Sequence, residues 1–593
     1  MPTSPPATDS LAVPALSIDP FVFLRDRVVA AARAALGADA GDDVDPALHL
    51  SQHADYQADL ALALGRKLKR SPREVAAALA AALAPDDVIG KVEVSGPGFL
   101  NLTLRDSFLV GLIERMRADA SGRLGVPPVT APDRVVVDYS GPNIAKEMHV
   151  GHLRSTIIGD TIARVLEWQG HTVIRRNHVG DWGTPFGMLI EHLLDLHASG
   201  GEATVRELAS FYRAARAKFD ADPAFADRAR QRVVLLQSGD AQTLALWRRL
   251  VDVSVEHFTA LYAALGITLT PGDVFGESAY NALLPDVVDE LVKKGLARES
   301  QGAMCVFPPG FVGRDGEPLP LIIRKQEGGY GYATTDLAAI RQRTTELRAT
   351  RIIYVVGTPQ SQHLAMVFAT ARLAGWANEA TRLEHVAFGS VLGPDKKMLK
   401  TRAGDSVSLA ELVSEGVARA REAVAAKSAD LPVDEQARIA TEVGVGAIKY
   451  ADLANDRIKD YVFDWNRMLA FEGNTAPYLM YAHARIRSVL RKAAAAGAAP
   501  GPIAFEAPPE RALALTLVQL SSAIDRTAET LQPHRLCAFL YEVATAFTAF
   551  YEACPVLKAA DATRGSRLAL CDVAGRTLAL GLARVGIGAP EQM

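Results

Sequence analysis

Two histidines three residues apart, His149 and His152, flank Gly151 in the stretch DYSGPNIAKEMHVGHLR, residues 138–154. A valine run, RVVVD at 134–138, leads into it, and Ile158, Ile162, Val165 and Leu166 follow at helical spacing. A short β-branched run of this kind reads as a strand buried on both faces of a parallel sheet. The histidines therefore stand at the mouth of a helix that follows a strand, where open parallel sheets bind phosphates. Imidazole N–H groups there can stabilise charge developing on an α-phosphate, and a glycine lets an adenosine approach the backbone closely. Two such histidines in isolation could equally cap a helix or sit satisfied in a core. The strand–loop–helix setting favours phosphate chemistry.

A second stretch, GSVLGPDKKMLKTRAGDSVSL at 389–409, crowds Lys396, Lys397, Lys400 and Arg402 after a Gly393-Pro394-Asp395 turn. Closely spaced lysines repel one another unless a polyanion lies among them, and a nucleoside triphosphate would serve. Alone, the run could be a solvated basic loop; paired with HVGH after a buried strand, it points to phosphate binding.

These stretches need a sheet to hold them. HTVIRRN after Gly170 supplies a second strand, so strand, helix and strand fall within about forty residues, a βαβ unit. Further strands are expected at Ile352 to Val356 and His385 to Leu392, with a helical insertion at roughly 190–300 between the halves. The expected class is α/β: a Rossmann-type doubly wound catalytic domain at 126–410. Before it, a disordered lead covers 1–16. Residues 17–125 form a small α+β domain, with a helical run from near Phe21, a helix from Ser71 to Leu83 opening on a capping-box-like Ser-Pro-Arg-Glu, strands in KVEVSGPGFLNLTL and a connecting helix. After it, 411–593 form an all-α helical bundle. There Leu513, Leu517, Leu520 and Ile524, then Leu536, Leu540, Val543, Phe547 and Phe550, repeat at helical spacing.

With 593 residues, 22% charged, and a net charge of −4, the chain is neither disordered nor globally basic, so any nucleic acid must be held by local patches. Its four scattered cysteines include no CxxC pair, which speaks against a zinc module or disulfide framework and for an intracellular compartment. The N-terminus has no basic residue before Arg25, so it does not read as a signal peptide. The Ala-rich run Val75 to Ala84 is about half a membrane span. A soluble, cytoplasmic protein without structural zinc is expected.

HVGH matches the HIGH motif, and KMLK at 397–400 resembles the KMSK loop, of class I aminoacyl-tRNA synthetases. DYSGPNIAKEMHVGHLRSTIIGD, HVGDWGTPFGMLI, YATTDLAAI, FEGNTAPYLMYAHARIRSVLRKA and PHRLCAFLYEVATAFTAFYEACPVLKA narrow this to a resemblance to arginyl-tRNA synthetases over nearly the whole chain. ADYQADLALALGRKLKR and SGPGFLNL resemble the additional N-terminal domain of that family.

The resemblance implies a two-step reaction. The carboxylate of L-arginine attacks the α-phosphate of ATP, giving arginyl-adenylate and pyrophosphate; the terminal ribose hydroxyl of tRNA(Arg) then takes the arginyl group, releasing AMP. ATP would come with Mg2+ as a substrate complex held through oxygens and water. His149 and His152 are assigned to the α-phosphate, Lys397 and Lys400 to the β- and γ-phosphates, and Lys146 as a further cation; Gly151 and His363 would also face the nucleotide. Aligning the loop instead on Thr401-Arg402 puts Leu399 at the family's methionine, so which lysine serves which phosphate stays open. The matching arginine-binding positions are Asp138, Asn143, Tyr332, Asp336 and Gln360. They supply the acceptors that a planar, donor-only guanidinium needs.

For tRNA, Arg66, Lys67 and Arg70, with Lys69 and Arg73, offer a patch in the N-terminal domain, which in this family contacts the tRNA elbow. Arg485, Arg487 and Arg491 offer another in the bundle, which resembles the family's anticodon-binding domain. Met480 and Pro185 stand where the family commonly has glutamine. The family implies a monomer, activation of arginine only with tRNA bound, and no editing, because a site built to hydrogen-bond a polar side chain rejects analogues lacking it by about 10⁴–10⁵. Rival readings are a non-catalytic RNA-binding paralogue, a small-molecule nucleotidylyltransferase and a synthetase for another amino acid. The retained histidines and lysines, the terminal domains, and Asp138, Asp336 and Gln360 argue against them in turn.

Overall fold

The computed structural model describes residues 17–593 except 42, 184, 199–207, 327, 400–406 and 428–429. The strand Arg134–Asp138 lies at the centre of a four-stranded parallel sheet, with Thr172–Arg176 on one side and Arg351–Tyr354, then Arg382–His385, on the other. Its three valines are fully buried, as both faces are covered. The expected strand at His385 to Leu392 divides in two. Its first part belongs to this sheet, while Val391–Leu392 pairs in parallel with Tyr461–Val462 outside it. Gly389 lies at the break, where an added Cβ would sit 2.9 Å from the backbone oxygen of Ile458.

The crossover helix Val150–Gln169 opens within the HVGH stretch itself, with His149 as its cap. Helices Pro185–Ala198, Leu208–Ala221, Pro223–Ser238, Ala241–Leu265 and Leu284–Lys293 fill the insertion. An unanticipated three-stranded antiparallel sheet, Ala297–Ser300, Ala303–Val306 and Leu321–Arg324, follows them.

The N-terminal unit is a four-stranded antiparallel sheet with helices Pro20–Leu36, Leu60–Leu68 and Pro72–Ala82. Ser71 precedes the last of these but makes no side-chain cap bond, so the expected capping box is absent; Pro72 alone marks the start. The C-terminal helices Ala476–Ala495, Pro508–Leu517, Leu520–Thr530, His534–Ala553 and Asp561–Arg584 form the bundle. The leucine series at 513–524 is broken between Leu517 and Leu520 into two helices. Met480 is fully buried against Gly446, so an apolar contact stands there.

Two ionic joints, the first of them wholly buried, tie the units together. Arg154, one turn into the crossover helix, places Nε 3.0 Å from Oδ2 of Asp452 and donates Nη1 to the Lys459 carbonyl at 3.0 Å. Arg511 of the bundle grips Asp55 of the N-terminal unit through both terminal nitrogens, at 2.8 and 2.7 Å, and Asp106 through Nε at 2.7 Å. All four cysteines are free and buried. No described helix is long and apolar enough to cross a membrane.

Candidate active site

The 139–149 loop runs from the strand end to the crossover helix, pinned on both sides. Ser140 takes its amide to Ser155 Oγ (2.9 Å) and shares its hydroxyl with Tyr262 (2.7 Å), while the Ala145 amide donates to Ser254 Oγ at 3.0 Å. Tyr262 and Ser254 come from the insertion helix Ala241–Leu265, so the insertion shapes the loop. Asn143 bridges to Gly180 with its side chain exposed.

At the helix mouth the two histidines cap one another's turn. His149 Nδ1 accepts from the Gly151 amide at 3.0 Å, and His152 Nδ1 accepts from the His149 amide at 3.2 Å. The rings lie 4.1 Å apart. With both Nδ1 atoms accepting, each ring can present an Nε2–H outward. Burial, the neighbouring His149 and Lys146 bring His152 down to about 4; burial and Lys146 also lower His149. Both imidazoles are thus neutral donors near neutral pH. Gly151 has a steric reason: a Cβ there would meet His149 Cε1 at 2.7 Å. Lys146 is exposed, its ammonium 4.8 Å from the Tyr212 ring centroid.

The lysine-bearing segment is rooted at both ends. Its outgoing stem makes a tight hairpin, Leu392 bridging Met398 and the Gly393 amide donating to the Lys397 carbonyl at 2.7 Å, with Lys396 at φ 60°. Lys397 projects exposed from that turn. Its return lies on the histidine mouth, where the Val150 amide donates to the Val407 carbonyl (3.0 Å) and that of Leu409 to Met148 (2.9 Å). Lys400 lies outside the described residues.

A second group of candidate residues is acidic. Asp336 and Tyr332 share the first turns of the helix Tyr332–Thr345, Tyr332 standing at the rim with 77% of its surface exposed. Gln360 is exposed at the N-cap of Ser361–Leu373. Two of the expected residues meet partners within the protein. His363 Nε2 is 2.6 Å from Oδ2 of Asp336, as both lie near the starts of packed neighbouring helices. Asp138 has one oxygen engaged: its Oδ2 takes the wholly buried Arg343 at 2.6 Å, with His178 Nδ1 3.9 Å away.

Glu277, which sequence reasoning missed, sits among these acids. Burial, then Asp181 and Asp336, raise its carboxyl to about 7. It lies in a short 3₁₀ turn, Glu277–Leu283, without periodicity; its amide bond to the Val179 carbonyl, 3.1 Å, and the Ser278–Asp181 bonds beside it hold it there. Two carboxylates crowded together and short of cations suit a cationic ligand. Among the described residues no group of three His, Cys, Asp or Glu is placed to hold a metal.

The basic patches fare unevenly. Arg66, Lys67 and Arg70 are exposed at the end of Leu60–Leu68, Lys67 reaching the Ala40 carbonyl at 3.4 Å. Arg485 lies over the rings of Tyr481 and Tyr551, 4.7 and 5.3 Å from their centroids. Arg487 and Arg491 share a face, as expected, but not as free cations: Glu591 takes Arg487 at 2.7 Å, and its carbonyl takes Arg491 at 2.9 Å.

Comparison with known proteins places these features in a family. The model for tRNA synthetases class I (R), catalytic domain, matches residues 120–465; that for the DALR anticodon binding domain matches 479–593; that for the arginyl tRNA synthetase N terminal domain matches 24–104. The chain is 54% identical to the arginine–tRNA ligase of Thermobifida fusca over 97% of its own length and all of that protein. It is 51% identical to that of Frankia casuarinae over 93% of the chain and 95% of the relative. Among solved structures it is similar to the arginyl-tRNA synthetases of Plasmodium falciparum (TM-score 0.81, 27% identity, covering 98% of this chain and 100% of that one) and Thermus thermophilus (TM-score 0.80, 27%, 96% and 100%).

Proposed function

The chain belongs to the arginyl-tRNA synthetase family, and from that membership we propose how its crevice divides the work. The protein is an arginine–tRNA ligase: it activates L-arginine with ATP to arginyl-adenylate and transfers the arginyl group to the terminal ribose hydroxyl of tRNA(Arg). On one wall His149 and His152 donate Nε2–H to the α-phosphate, where negative charge builds as the arginine carboxylate attacks and pyrophosphate leaves. Gly151 keeps the backbone clear for the adenosine. Lys397, with Lys146 and Lys400, draws charge from the β- and γ-phosphates, and Mg2+ arrives as part of the ATP substrate. Positioning and charge stabilisation suffice, without a covalent enzyme intermediate.

On the other wall Asp336 and Glu277 receive the guanidinium, with Tyr332, Gln360 and Asn143 at the rim. Asp138, held by Arg343, shapes the strand end and turns its remaining oxygen towards the substrate. What supports this division is the acidic cluster of Asp336 with Glu277 and, separately, the paired His149–His152 donors at the helix mouth. Arg66, Lys67 and Arg70 hold one part of the tRNA, and Arg485 on its two tyrosine rings offers a stacking platform for anticodon bases. We further propose a cytoplasmic monomer.

Pyrophosphate exchange tests the reading. Exchange should require arginine and appear only with tRNA present. His152→Ala should abolish it while leaving tRNA affinity nearly intact. Exchange driven by another amino acid, or lost tRNA binding with normal activation, overturns it.

A further inference from the structure

We propose that His363 is a positioning residue for arginine: its Nε2, 2.6 Å from Oδ2 of Asp336, fixes that carboxylate so that its other oxygen, beside Glu277, meets the guanidinium. The proposal rests on Asp336 belonging to the arginine pocket. An aspartate's terminal torsion is broad and roughly two-fold, so an unrestrained carboxylate samples many orientations. A guanidinium is a flat fork whose hydrogen bonds are strong only to oxygens already lying in its plane. Anchoring one oxygen removes that freedom before the substrate arrives.

The placement suits this task and no other in the crevice. His363 lies in the first turn of Ser361–Leu373, three residues beyond Gln360, and Asp336 lies in the second turn of Tyr332–Thr345; the two helices pack side by side. The other charged groups in Asp336's neighbourhood are the acids Glu277, Asp181 and Asp138, which cannot donate when ionised, and Arg343, whose Nη2 is given to Asp138. Among the described residues His363 supplies the side-chain hydrogen bond to Asp336. With Nε2 so committed, the ring acts on arginine through Asp336 and leaves ATP to the opposite wall.

The test compares His363→Ala and His363→Gln in tRNA-dependent pyrophosphate exchange, varying arginine and ATP separately. His363→Ala should raise the KM for arginine about ten- to hundredfold, as befits one charge-assisted hydrogen bond that orders a ligand. The KM for ATP should stay put, and His363→Gln, which keeps a donor, should recover most of the loss. In an Asp336→Asn background His363→Ala should add nothing, because the two act as one unit. Where turnover is too low, calorimetric arginine binding with tRNA present replaces KM. Equal rises in both KM values, no rescue by glutamine, or a full additional loss on top of Asp336→Asn overturns the proposal. Asp336→Asn by itself separates two failures. If it leaves arginine affinity unmoved, the pocket reading falls. If affinity drops while His363→Ala is silent, only the role of His363 falls.

Discussion

Nη2 of Arg343 lies 2.6 Å from Oδ2 of Asp138, and the guanidinium is wholly buried. An enzyme that binds free arginine thus carries one of its own against a carboxylate that we propose for the same site. Removing one partner of a buried pair leaves the other charge uncompensated, which costs about 3–5 kcal/mol. Arg343→Leu should lower the unfolding free energy of the catalytic domain by about that amount, read from urea denaturation. A change below about 1 kcal/mol, the value of a surface pair, would mean that Asp138 finds another partner.

The histidine mouth should make the protein acid-sensitive. The fold lowers His152 from 6.5 to about 4, so the unfolded chain takes up its proton first as pH falls. Below pH 6.5 stability should drop progressively and level off near pH 4, by about 2–3 kcal/mol from this group. His149, lowered by burial and Lys146, adds in the same direction. Denaturation midpoints at pH 7.5, 6 and 5 should fall in that order, and His152→Ala should flatten the series.

Glu277 should give arginine binding its own pH dependence. A carboxyl at about 7 is half protonated at neutral pH, and a guanidinium binds the ionised form better. The KM for arginine should therefore rise as pH falls from 8 to 6. Glu277→Gln should raise it about ten- to hundredfold at pH 8 and remove most of the trend. The stability linkage has the opposite sense. A raised carboxyl contributes stability below its unfolded value of 4.5 that is lost as pH rises through 7. Glu277→Gln should consequently unfold no earlier than the parent at pH 8. A steep arginine KM profile surviving in that variant would assign the titration to another group.

Glu591 restrains two candidate tRNA contacts, Arg487 and Arg491. At this exposure such a pair is worth at most about 1 kcal/mol, so a phosphate can compete with it. Glu591→Gln should tighten tRNA binding up to about fivefold at low salt and leave arginine activation unchanged. Filter binding across a salt series would show it; weaker binding in the variant would mean that Glu591 orders the arginines for the tRNA.

Much of the site was readable because it follows the chain. Three buried valines, a capped helix and two histidines flanking a glycine are local facts, and the parallel sheet with its crossover helix came out as the spacing required. Glu277 and Arg343 were invisible for the converse reason: one lies in a turn without periodicity, the other on the buried side of a helix, and each acquires its meaning from a partner 59 or more positions away. Asp138 and His363 were visible as residue types, but their tasks were not, since a carboxylate's role depends on which cation reaches it first.

The order of elements, the histidine-bearing helix mouth and the supply of acceptor side chains are written in the sequence, because backbone periodicity and side-chain chemistry act over a few residues. Which acceptors remain open to substrate was decided by tertiary packing. Arg343 and His363 each claim a carboxylate oxygen across helices and strands that only the folded sheet brings together, and ionic attraction in a dry crevice depends on distances that spacing along the chain does not contain.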